Sequence, residues 1–155
     1  MANPLYDTFF GRHAGKSTPF IHLSDGNCIT HAAFLQQASQ LAHAITEYGL
    51  QAGDRLAAQV EKSPEALALY AACAQTGVVF LPLNTAYTPS EVSYFVEDSG
   101  AVLFVCDKAN QDALTPIARS AGAQLATLNV DGSGSIVDLA ATMPTAFNTV
   151  ERTGD

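Results

Sequence analysis

Between Gly53 and Asn84 the chain reads GDRLAAQVEKSPEALALYAACAQTGVVFLPLN, and this stretch limits the possible folds more than any other. Arg55 to Val60 is a short β-prone run, and Val78 to Leu83 is almost wholly apolar, as suits a strand buried on both faces. A connection of this length between two such runs is what a parallel crossover needs. Ser63 is placed to accept backbone hydrogen bonds as N-cap, Pro64 takes the first helical position, where its missing N–H costs nothing, and Glu65 complements the helix dipole. Gly77 ends the helix. Ala66, Leu67, Leu69, Tyr70, Ala71, Ala72 and Cys73 make the helix apolar nearly all round, so it is expected to lie between a sheet and a second protein layer.

The flanks continue the pattern. Pro4 to Phe10 reads as one or two helical turns, and His13 to Thr18 as a polar connection. Pro19 to Leu23 and Asn27 to Thr30 flank Ser24-Asp25-Gly26, which predicts an antiparallel hairpin with a tight turn in which both Asp25 and Gly26 take positive φ. Thr30 caps a helix with Phe34, Ala38, Leu41 and Ile45 along one face and Gln36, Gln37, Gln40 and Glu47 along the other. Gly49 stops it, and Leu50 folds back over its last turn. Thr88-Pro89-Ser90-Glu91 is a capping box with proline at the first helical position, and Gly100 ends the helix that it starts. Ala101 to Cys106 is an apolar strand. Asn110 to Ala121 is helical in pattern, although Pro116 is expected to break or restart it. Gln124 to Val130 makes a further strand, Ser135 caps a short helix to Thr142, and Thr145 to Asp155 shows no periodicity. Four β-type runs separated by three helical segments predict an α/β fold: a doubly wound, mainly parallel sheet with helices on both faces, plus a small N-terminal β-hairpin.

Composition narrows the function classes. The 155 residues are 48% hydrophobic, enough for one domain with a real core. A net charge of -8, with only seven scattered Lys and Arg, argues against a nucleic-acid or anionic-membrane surface. Three cysteines, Cys28, Cys73 and Cys106, are odd in number and fall in apolar elements, which favours reduced, buried thiols in a cytoplasmic setting. The first residues show no positive region followed by an apolar run, and the longest apolar run, Ala66 to Ala74, is too short to span a bilayer.

No catalytic constellation emerges from the residues, and each candidate site has a plainer reading. Gly132-Ser133-Gly134 lies between a predicted strand and a helix, where a phosphate-cradling turn would sit, but Val137 takes the place of the third glycine and a flexible turn is favoured. Cys28 and His31 are three apart with no second ligand pair, so no metal site is assigned. His13, His22 and His43 stand alone. Asp107 follows a strand without the further carboxylates that a metal or phosphoryl site would need. Asn84, Thr85 and Tyr87 lie at the carboxyl end of a buried strand, where open α/β sheets bind ligands, but a helix-cap and turn role is favoured over a ligand contact.

The run VEKSPEALALYAACAQTGVVFLPLNTAYTPSEVSYFVEDSGAVLFV, with the preceding GDRLAAQ, resembles the acyl-activating, adenylate-forming enzymes, and within them the malonyl-CoA synthetases. The resemblance implies an ATP-dependent acid:CoA ligase in which a carboxylate attacks ATP to give an acyl-adenylate and coenzyme A then displaces AMP. It implies ATP, CoA and Mg2+ as cofactors of the parent enzyme and a small dicarboxylic acid as substrate. The family's phosphate-holding loop falls beyond Thr153-Gly154-Asp155, so no catalytic, cofactor-binding or metal residue can be carried onto this chain. The expectation is an N-terminal α/β subdomain over 1–144, an extended or disordered tail over 145–155, and a cytoplasmic parent whose remaining polypeptide is the partner. The chain alone is expected to bind none of these cofactors tightly, to be inactive, and to self-associate through an uncovered apolar helix. A stand-alone, non-catalytic α/β module binding a nucleotide or a protein is the alternative.

Overall fold

A computed structural model describes residues 3–153. Helix α1 (Pro4–Phe9) starts at Asn3, whose side chain accepts from the Tyr6 N–H, and a 3-10 turn at Gly11–His13 follows. Strands β1 (Pro19–His22) and β2 (Cys28–Thr30) pair antiparallel and lead into α2 (His31–Glu47), capped by Thr30. Then come β3 (Arg55–Gln59), α3 (Pro64–Thr76), β4 (Val79–Pro82), α4 (Pro89–Ser99) and β5 (Leu103–Cys106). A 3-10 turn at Lys108–Asn110, α5 (Gln111–Ser120), β6 (Gln124–Thr127) and α6 (Ser135–Ala140) complete the order.

The main sheet runs β4-β3-β5-β6, all parallel. From β3 the chain moves outward to β4, then returns past β3 to β5, so the β3–β4 and β4–β5 crossovers fall on opposite faces, while the β5–β6 crossover shares the face of the second. Leu56, Ala58, Leu103 and Val105 point to the face covered by α2, α3 and α6. Ala57, Phe104 and Cys106 point to the face covered by α4 and α5. The α/β doubly wound sheet with its separate hairpin is thus the observed architecture.

Local signals act as their chemistry requires at α3 and α4. The Ser63 hydroxyl accepts from Ala66 N–H at 3.0 Å, and Gly77 closes α3 at φ +75°. Both halves of the Thr88–Glu91 capping box are formed. The layer over α3 departs from expectation, because this chain supplies it. α2 lies along α3, Phe10 meets Tyr70 edge to face at 6.0 Å, and Val150 N–H donates to Gln75 O. On α3, Leu67 is exposed and Pro64, Glu65, Ala66 and Tyr70 are half-buried.

Two other expectations need correction. In the hairpin only Gly26 takes positive φ; Gly26 N–H bonds Leu23 O, Leu23 N–H bonds Asn27 O, and Asp25 accepts from Asn27 N–H. This is a three-residue loop ending in a left-handed glycine, which leaves Asp25 unstrained. Helix α5 runs unbroken through Pro116. Pro116 is on the exposed side, where water can solvate the carbonyl that loses its N–H partner.

Residues 145–153 have no helix or strand and lie back on the body. His43 Nε2 is 2.8 Å from Ala146 O, and Asn3 Nδ2 donates to Val150 O at 3.0 Å. Residues 154–155, part of the tail expectation, fall outside the described residues.

Candidate functional site

In a sheet of order β4-β3-β5-β6 the topology reverses between β3 and β5, and ligand crevices open at the carboxyl ends beside such a point. Four loops converge there. Gln59, the last residue of β3, is buried, and its amide donates to Asn84 O at 2.9 Å and Tyr87 O at 3.3 Å. The loop after β4 is therefore pinned from below. Asn84 closes the same turn by accepting from Ala86 N–H, and Tyr87 stacks on Phe95 with ring centroids 5.2 Å apart. Thr85 is exposed. Glu91, holding Thr88 N–H and hydroxyl at 2.8 Å, is kept below the usual carboxylate pKa, first by the backbone bond and then by the hydroxyl. Sequence reading passed over Gln59; an amide ending a run of apolar residues was the available signal.

The other two loops are tied to each other. Asp107 accepts from Ala109 N–H and starts the 3-10 turn, so it serves as a cap. Lys108 N–H reaches the Asn129 side chain, and Asn129 Nδ2 reaches Ser133 Oγ, both at 2.9 Å. In the glycine turn, Gly132 N–H bonds Asn129 O, while Ser133 N–H and hydroxyl both bond Asp131. A Cβ on Gly132 would lie 2.7 Å from the Glu65 carboxyl carbon. With those donors occupied and a carboxylate alongside, the turn does not fit a phosphate. Ser135 does not cap α6. Its hydroxyl accepts from Thr127 N–H and its N–H donates to Thr127 Oγ1, which fastens the turn to the edge of β6.

The histidines and cysteines fall elsewhere. His13 does not stand alone: it stacks on His31 at 4.7 Å, and Phe20 covers the other side of His31 at 4.6 Å. Partial burial, then Lys16, His31 and Arg12, hold His13 below the ordinary histidine value. Cys28 is exposed rather than buried, because β2 belongs to a two-stranded hairpin with no layer over that position. Burial pushes the Cys73 thiol up, and burial followed by the neighbouring Asp107 pushes Cys106 up to about 11. Iodoacetamide is therefore expected to label Cys28 alone in the folded chain and all three thiols in denaturant, read by intact mass; native labelling of Cys73 or Cys106 would contradict their burial. Among the described residues no three His, Cys, Asp or Glu side chains converge as a metal site. None of the described helices is long and apolar enough to cross a membrane.

Beside the crevice, at the carboxyl ends of β3 and β4, lies a hollow of about 660 Å³ walled by Ile21, Val60, Leu67, Tyr70, Phe80 and Leu83. His22, Ser24, Glu61, Lys62 and Ser63 also line it, and the Ser63 hydroxyl is already engaged as the cap of α3.

A sequence profile described as AMP-binding enzyme matches residues 10–149. The chain belongs to the AMP-binding enzyme family. It is similar to the fatty acid--[acyl-carrier-protein] ligase ScoC of Streptomyces coeruleorubidus, 32% identical over 102 residues that make up 65% of this chain and 19% of that protein. Apo MatB from Rhodopseudomonas palustris superposes with TM-score 0.94 at 40% identity, over 99% of this chain and 30% of that one. ATP bound MatB from the same organism gives 0.95 at 41%, over 100% and 31%. The chain thus spans less than a third of these relatives, and it matches the N-terminal part of a larger ligase polypeptide.

Proposed function

We propose that this chain is the opening portion of an ATP-dependent acid:CoA ligase, and that malonate is the acid. The observation that carries the reading is the match to the malonyl-CoA synthetase MatB over almost the whole of this chain at 40% identity, while nearly seven tenths of that protein has no counterpart here. Residues 1–144 then form a subdomain of the large ligase domain, and their role is structural: they hold one wall of a site whose reacting groups lie on other polypeptide. The occupied donors at the strand ends fit that role. ATP and CoA are the cofactors of the whole ligase, with Mg2+ as counter-ion of the phosphates, and a cytoplasmic location follows from where such substrates are found. Among the described residues no metal-ligand cluster forms, and the Gly132–Gly134 turn does not fit a phosphate.

The test uses the purified chain with malonate, ATP, Mg2+ and CoA. The expected result is no pyrophosphate release and no rise in melting temperature with ATP or CoA, since a ligand that binds the native state stabilises it by mass action. Turnover, or a nucleotide-dependent rise of several degrees, would instead identify a self-sufficient module.

A further inference from the structure

Strand β4 forms one edge of the sheet, and among the described residues no further strand pairs with its outer side. Val79 is 49% exposed at this edge. Val79 and Leu83 donate their N–H groups inward, to Asp54 O and Ala58 O. By alternation Phe80 and Pro82 face outward, and Pro82 has no N–H to give. Any strand laid here pairs through Phe80 and stops at Pro82, so apolar packing has to supply most of the contact.

That packing surface is present. A second hollow, of about 620 Å³, lies between α1 and β4 with Leu5, Phe9, Val79 and Phe80 in its walls. It shares Tyr70 and Phe80 with the hollow at the strand ends, which makes one continuous apolar belt along the open edge. Phe9 is 61% exposed and Leu5 48%, too much apolar surface in one place for a face meant for water. The chain itself runs to this belt: Arg152 and Thr153 line the α1–β4 hollow, and the Arg152 stem lies against Gly77. Thr153, the last described residue, thus shares this hollow with Phe9 and Val79.

We propose that the β4 edge, with the belt of Leu5, Phe9, Leu67, Tyr70, Val79 and Phe80, is the surface on which the remaining two thirds of a family ligase packs, largely by apolar contact. The proposal rests on the reading of the chain as part of such a ligase. Tyr87, Tyr94 and Phe95 form another aromatic group, on the α4 side of the sheet, and serve as the comparison surface.

The experiment grafts this chain onto Rhodopseudomonas palustris MatB in place of the third that it matches, and follows malonate- and ATP-dependent pyrophosphate release. Val79→Asp and Phe9→Asp are expected to lower activity of the graft about tenfold or more, because each would bury an unpaired charge. The same substitutions in the separate 155-residue chain should leave its melting temperature nearly unchanged, since both positions are exposed there. Tyr94→Asp should leave the graft active. An inactive graft with the unaltered chain overturns the ligase reading. An active graft that tolerates both β4-edge charges, or that fails with Tyr94→Asp instead, overturns the docking surface and leaves the ligase reading standing.

Discussion

Replacing Gly134 by alanine is expected to destabilise the chain by about 3 kcal/mol or more, one of the two largest single-residue effects foreseen. Gly134 sits at φ +142°, ψ +162°, a region open essentially to glycine alone. A Cβ there would also stand 2.7 Å from the Thr127 carbonyl carbon and 2.9 Å from Leu128 Cα. Both obstacles are backbone, so neither can swing aside. Gly100 provides the control: φ +61°, ψ +39°, with open space around it. Alanine there costs the left-handed conformation alone, about 1 kcal/mol. Denaturant midpoints of the two variants measure the difference, and equal midpoints would mean that the turn does not press on β6 as described.

The same residue shows what a sequence can reveal. Gly132 and Gly134 read as a possible phosphate turn, because spacing reports that glycine is needed but not why. The reason is tertiary: β6 passes directly beneath Gly134, and the Glu65 carboxylate lies beside Gly132. Caps and helix stops at Ser63, Thr88, Gly77 and Gly100 were legible because donor and acceptor lie within four residues of each other. The sheet was legible because three helix-length gaps between apolar runs admit few other windings. The His13–His31–Phe20 stack was not, since it joins three segments whose meeting depends on the finished hairpin. Nor was the cover over α3. An all-round apolar helix announces a second layer without naming it, and only the docked α2 shows that the layer lies N-terminal to α3 in the same chain. The open face therefore moves from α3 to the edge of β4.

Truncating Phe104 to alanine is expected to cost about 3 to 5 kcal/mol, toward the top of that range. Phe104 is fully buried on β5, in an interior strand of the sheet. Among the described residues it is the one fully buried aromatic ring on the face covered by α4 and α5, and its cluster includes the small side chains of Ala57, Ala101 and Ala118. Alanines have no freedom to lean into a void, and Val92 and Val96 are stiff at χ1, so the cavity would stay largely open. Phe34, on the opposite face, has Phe10 and Phe20 as ring neighbours at 6.1 and 4.9 Å and sits in a larger cluster able to rearrange. Phe34→Ala is thus expected to cost less. A domain of ordinary stability has about 5 to 15 kcal/mol to lose, so Phe104→Ala stands to leave a substantial unfolded population. Phe104→Leu, which keeps most of the volume, should cost about 1.5 kcal/mol or less and keep the comparison measurable if the alanine variant fails to fold. Guanidinium unfolding of all three variants decides the matter: if Phe104→Ala costs no more than Phe34→Ala, the α4–α5 face is not the rigid, alanine-lined layer that its packing implies.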